Sequence, residues 1–198
     1  PVTGRLSANL VCMASMLIWA AGLPAADFLI PLMTGMQLSA LRMGLAALAL
    51  LPLWVLLEGW APLLRVNWPK GVAVGSLIGF GGWFLVMGQA RGGAVTAAVI
   101  SATLPVVGIA VEVLFDGRRL TRALVVGLVL SLIGGMMALD LTSGNMSLGI
   151  GALLCFCSVL CFTLGSRLTV TAFPDQTPIG RTALTLTGAA VALICVAL

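Results

Sequence analysis

The sequence predicts an all-α, polytopic membrane protein, and three observations predict it. Charge is scarce: ten basic and six acidic residues, 8% of 198 positions, against roughly 25% in an ordinary soluble domain. Apolar residues make up 61% of the chain, and the mean hydropathy is +1.19. The charges are also clustered, so they divide the chain into seven apolar stretches. Most of these approach the ~20 residues a helix needs to cross a hydrocarbon core of ~30 Å. A soluble chain of this size has no means of covering so much apolar surface, so lipid must cover it. The net charge of +4 is accordingly a topology signal, and a nucleic-acid partner is not expected.

The first span runs from Arg5 to Asp27, with Pro24 near its far end. It has no small-residue cleavage site ahead of a soluble domain, so it reads as a retained span and not a signal peptide. The second runs from Ser39 to Leu57 and the third from Lys70 to Gln89. The fourth, Val95 to Phe115, carries Pro105 at its middle; the fifth is Arg122 to Leu139. The sixth runs from Ser147 to Gly165, and the seventh starts at Pro178 and is still apolar at Leu198. Gly71, Gly75 and Gly79 form a small-residue face on the third span, and Ser131 and Gly135 do so on the fifth. Without Cβ bulk, helices approach closely and gain van der Waals contact, which drives packing in lipid.

The connections alternate in charge. Arg5, Arg65, Lys70, Arg118, Arg119, Arg122, Arg167 and Arg181 fall on one side, and only Arg42 and Arg91 on the other. The positive-inside rule then places the N-terminus in the cytoplasm. Trp54, Trp60 and Trp68 cluster on that same side and read as an interfacial aromatic belt.

Several chemistries are excluded by composition. The chain has no His, which removes Ser-His and Cys-His hydrolysis and HExxH metal sites. Cys12, Cys155, Cys157, Cys161 and Cys195 all lie in apolar runs and read as small, polarizable packing residues. Cys157 and Cys161 are four apart, a spacing that soft metals accept, but no His or acid stands beside them. No metal and no cofactor is expected. There is no Walker A motif, so ATP does not drive the protein directly. Asp116-Gly117 with Arg122 and Asp140 is a fragment of a lipid-phosphotransferase pattern, without the further carboxylates such a metal site needs.

Arg42 opens the second span in Leu41-Arg42-Met43-Gly44-Leu45, and Arg181 opens the seventh in Gly180-Arg181-Thr182-Ala183-Leu184. The offset between them places the sixth span on the first. Five spans separate the copies, an odd number, so the second copy must be inverted, as in many secondary transporters. The expected organisation is a five-span repeat over residues 1–140, followed by the start of an inverted repeat over 141–198. Only two spans of the second repeat are present, so the chain is expected to be the first seven spans of a ten-span protein.

At these residues the chain resembles the drug/metabolite transporter superfamily, specifically the EamA-type ten-span exporters. Leu17-Ile18-Trp19 with Gly22-Leu23-Pro24 is similar to the family's first-span signature, and Ala40-Leu41-Arg42 through Pro52 to its second. Thr96-Ala97-Ala98 through Leu104-Pro105, Asp116 through Thr121 and Gly127 through Gly134 resemble a third, longer stretch. The chain departs from that pattern at Arg118, where the family usually has Glu, so no role of that Glu carries over. The resemblance implies a secondary transporter of a small molecule such as an amino acid, working by alternating access in a bacterial inner (plasma) membrane. Protons are the candidate coupling ion, and a monomer or homodimer the expected state. The alternative readings are a non-catalytic assembly or channel subunit and, behind it, a lipid-modifying enzyme.

Charge inside a membrane is costly and marks function by default. Glu112, one turn from the end of the fourth span, is a candidate proton or cation carrier. Asp27 and Arg42 lie toward the outer face and are expected to pair across the first loop, as a structural ion pair or an outer gate. Arg181 is the repeat counterpart of Arg42 at the inner face. Trp19, Trp83, Gln89, Ser101 and Thr103 are the mid-depth polar or amphipathic groups expected to line a substrate cavity. Pro24 and Pro105 break helical hydrogen bonding, and carbonyls so freed can face a substrate path.

Overall fold

The computed structural model describes residues 2–117, 119, 121, 122, 124–127, 129, 130, 133, 134, 137 and 149–197. Seven helices are delimited: α1 (Val2–Leu29), α2 (Gly35–Glu58), α3 (Trp60–Arg65), α4 (Trp68–Ser101), α5 (Leu104–Asp116), α6 (Ile150–Ala172) and α7 (Pro178–Ala197). Among the described residues there is no strand. Five of the helices are long and apolar enough to cross a membrane: Ser7–Leu29 within α1, then α2, α4, α6 and α7. The described residues of the expected fifth span, between 122 and 137, are helical. Its Ser131 and Gly135 face, together with Arg118 and Asp140, lies outside the described residues.

Local signals set the helix boundaries. Thr34 caps α2 reciprocally: its Oγ1 accepts from the Gln37 N–H at 3.3 Å, and the Gln37 Oε1 accepts from the Thr34 N–H at 3.0 Å. This pairing satisfies two N-terminal donors that have no partner within the helix. Gly59 ends α2 at φ 79°. Asn67 caps α4 by accepting from the Lys70 N–H at 3.1 Å. Gly117 ends α5 in the left-handed conformation, φ 62°, where a Cβ would add strain.

Helix α4 is a hairpin and not one rod. Gly93 leaves helical geometry at φ 79° and ψ 164°. Leu85 and Ala97 share one buried cluster with Leu23 and Cys155, whereas a straight helix would hold residues twelve apart at ~18 Å. The chain therefore reverses at Gly93. This is the boundary expected between the third and fourth spans, with the reversal made by a single residue. The fourth span is itself broken: residues 94–101 are followed by a turn at Ala102 and Thr103, and α5 starts at Leu104 with Pro105 in its first turn.

The first limb of α4 is the packing centre, with its widest contacts to α6 and α7. Its Gly71, Gly75 and Gly79 face α7, as the small-residue spacing predicts. A Cβ on Gly75 would fall 2.7 Å from the Ala189 nitrogen, and one on Gly188 of α7 would fall 2.7 Å from the Val72 Cα. The backbones touch directly, so neither position has room for a side chain. A second glycine face meets α6, where a Cβ on Gly88 would lie 2.9 Å from the Gly151 oxygen.

Helices α2 and α7 run antiparallel. The Trp54 indole near the end of α2 sits over Gly180 at the start of α7, and the Thr177 hydroxyl donates to Glu58. Trp54 is 1% exposed, with its Nε1–H donating to Glu58 at 3.1 Å, so it is a core residue and not part of an aromatic belt. The glycine opposite it makes the slot the indole fills. Trp60, by contrast, is 66% exposed.

Candidate functional site

A largely apolar cavity of about 550 Å³ lies between α1, the broken fourth span and α6. Met16, Trp19, Ala20 and Leu23 come from α1, and Leu85 from the first limb of α4. Ala98, Ser101, Ala102, Leu104 and Pro105 come from the broken span, and Ser158, Val159, Phe162 and Ser166 from α6. The hydroxyls of Ser101, Ser158 and Ser166 make no hydrogen bond among the described residues, so they remain available to whatever enters.

Both prolines act on this cavity. A proline has no N–H to give the carbonyl four residues before it. For Pro24 that carbonyl belongs to Ala20, and for Pro105 to Ser101, both lining residues. At the break, Val106 and Val107 both donate to the Thr103 oxygen, at 2.9 and 3.0 Å. The carbonyls of Ser101 and Ala102 thus receive no backbone donor among the described residues. These breaks put main-chain acceptors beside an apolar chamber, an arrangement that lipid-exposed backbone does not tolerate but a cavity does.

Of the residues expected to line a cavity, Trp19 and Ser101 line this one. Trp83 does not; its ring lies against Phe84, with centroids 5.2 Å apart, and edge-on to Phe80 at 6.3 Å. Thr103 turns its hydroxyl back to the Ile100 oxygen at 2.6 Å. Gln89 is 2% exposed, and its Nε2 donates to the Leu23 oxygen and to Asp27 Oδ1, both at 2.7 Å. It clasps α1 to α4.

The expected Asp27–Arg42 pair does not form. Asp27 faces Gln89, while the Arg42 guanidinium lies over Gly22 of α1, 3.7 Å from where a Cβ would be. Arg181 donates from Nε to the Phe173 oxygen at 2.8 Å and from Nη2 to the Pro174 oxygen at 2.7 Å. Lys70 Nζ donates to the Ala172 oxygen at 2.8 Å. Two cations thus meet the carbonyl end of α6, where the helix dipole favours them. This placement ties the α6–α7 turn to the start of α4.

Glu112 lines a second cavity of about 490 Å³ between α5 and α6, together with Gly108, Asp116, Thr163, Arg167 and Thr171. Leu104 and Ser166 border both cavities, so the second, more polar one adjoins the first and is termed the vestibule. At its rim Arg167 donates to Asp116 twice, from Nε at 3.0 Å and from Nη2 at 2.5 Å. The hydrogen bonds from Arg167 hold the Asp116 carboxyl below its ordinary pKa. Neither this pair nor Ser158 and Ser166 stands out in the sequence. Asp116 and Arg167 are 51 residues apart, and serine in an apolar helix is a common packing residue.

No curated protein and no solved structure matches the chain. The profile of the EamA-like transporter family matches residues 6–139, which span α1 to α5 and so include most of the cavity wall. With its apolar helices, broken fourth span and open apolar cavity, the chain belongs to the EamA-like transporter family and is an integral membrane transporter protein.

Proposed function

We propose that the chain carries a small metabolite, such as an amino acid, through the 550 Å³ cavity by alternating access, in the direction of export. The cavity is the observation that carries this reading. A Trp face, three serine hydroxyls and carbonyls freed by two prolines surround an apolar chamber. That lining suits a compact molecule with an apolar body and a few hydrogen-bonding groups. The proposed organisation is a five-span repeat, 1–140, followed by the start of an inverted one, 141–198, with α1 and α5 as the parts that move against the tightly packed α4, α6 and α7. The opposed directions of α2 and α7, with Arg42 and Arg181 at opposite ends of the bundle, support it. So does the end of the family match at residue 139.

Proton coupling through Glu112 is part of the same proposal, supported by its position in the vestibule. The basic-residue asymmetry supports a cytoplasmic N-terminus, and the family resemblance supports placement in a bacterial inner membrane. The test is uptake by proteoliposomes holding the full chain, with a panel of amino acids and nucleobases under imposed pH gradients. Uptake driven by the gradient, and lost in Glu112→Gln, is expected. Equal uptake in that variant removes the proton role, and no uptake of any panel member by folded protein counts against the carrier reading.

A further inference from the structure

We propose that Asp116 and Arg167 form a latch that holds the two walls of the vestibule together and separates when the central cavity opens toward that end. The inference rests on the transporter reading and adds a moving part to it.

The pair joins α5, in the first proposed repeat, to α6, in the second. It is a two-pronged guanidinium–carboxylate contact, a geometry that fixes orientation as well as distance. The Arg167 guanidinium also lies over the Phe115 ring, 5.0 Å from its centroid, so two neighbouring residues of α5 hold one side chain of α6. Little else joins these helices. Contact between α5 and α6 is slight beside that between α4 and α6. A Cβ on Gly108, in the middle of α5, would meet nothing within 4 Å. The glycines that join α4 to α6 have no such space.

α5 therefore has the features of a movable wall. It follows a non-helical turn at Ala102 and Thr103, and the Asp116–Arg167 ion pair ties its far end to α6. That pair is partly open to solvent, with side chains 24% and 44% exposed for Arg167 and Asp116. Exposed ion pairs contribute little net stability, so this one can open without unfolding anything. The vestibule behind it runs to Ser166 and Leu104, which border the central cavity.

The test is a distance measurement on the full chain in lipid nanodiscs, with the five native cysteines replaced by Ala. Spin labels go on Leu114→Cys of α5 and Val170→Cys of α6, both exposed positions. A reference pair goes on Leu153→Cys of α6 and Val191→Cys of α7, also exposed. Asp116→Asn and Arg167→Gln are each expected to lengthen the α5–α6 distance by about 5 Å, on the order of one helical turn, with the reference pair unchanged. The exchange Asp116→Arg with Arg167→Asp is expected to restore the short distance. An α5–α6 distance unmoved by either single change, or not restored by the exchange, overturns the latch. This measurement needs no substrate, so its failure is distinct from a failure of uptake.

Discussion

The α4–α6–α7 platform and the walls of the cavity use opposite packing strategies on the same chain. On the platform, Gly75 and Gly188 let backbones touch, and no added atom fits. Around the cavity, α1 presents mostly exposed apolar surface, α5 meets α6 sparingly, and Gly108 faces open space. Interior packing of close contact transmits force and resists change of shape. A region with a chamber and few ties can move. The contrast places rigidity where helices must be held and freedom where a substrate path must open.

The largest expected effect breaks the platform. Gly75→Leu forces a side chain into the Thr185 and Ala189 backbone, at or above the upper end of the ~1–3 kcal/mol usual for overpacking. Thermal unfolding in detergent should show a marked loss, or no folded protein. Gly108→Ala should hold or raise the midpoint, since alanine is favoured over glycine within a helix by up to about 1 kcal/mol. Equal losses at the two sites would remove the distinction between platform and wall.

Gln89→Leu comes next. It removes both hydrogen bonds to α1, and buried polar groups left without partners cost about 1–3 kcal/mol. Unfolding in the same detergent should reveal that loss, and an unchanged midpoint would show that Gln89 does not clasp α1 to α4. Trp19→Ala should leave stability close to the parent, because Trp19 is 39% exposed. It should raise the half-saturation concentration for transport roughly 2- to 10-fold, from an aromatic contact worth about 0.5–1.5 kcal/mol.

The smallest effect belongs to Asp116. Its folded-state pKa lies below the ordinary value through Arg167. The tie is therefore complete above the ordinary carboxylate range and fades as pH falls through the depressed value. Stability curves of parent and Asp116→Asn should differ slightly at neutral pH and converge in acid. Divergence in acid would reverse the sign and remove the assigned pairing.

Much of this contrast is legible in the sequence, for a physical reason. Helical spacing alone places Gly71, Gly75 and Gly79 on one face, and proline alone frees a carbonyl, so the platform face and both breaks can be read without a fold. Trp19 and Ser101 follow from depth within a span. The rest depends on which helices meet. Gln89 shows its donor to Leu23 and Asp27 only when α1 lies beside α4. Trp54 becomes a core residue only because Gly180 opens a slot for it. Asp116 and Arg167 sit at span ends, where charges are ordinary, and become a pair only through the approach of α5 to α6. Asp27 and Arg42 do not pair because the fold gives each another neighbour, Gln89 for Asp27 and Gly22 for Arg42.

The most direct measurement fills the chamber. Ala20 lies on the exposed surface of α1 and lines the cavity, so Ala20→Trp adds bulk there without disturbing the platform. In proteoliposomes, with a substrate that the parent protein carries, Ala20→Trp of parental thermal stability is expected to lose uptake. Parental uptake by that folded variant would contradict passage of substrate through this cavity.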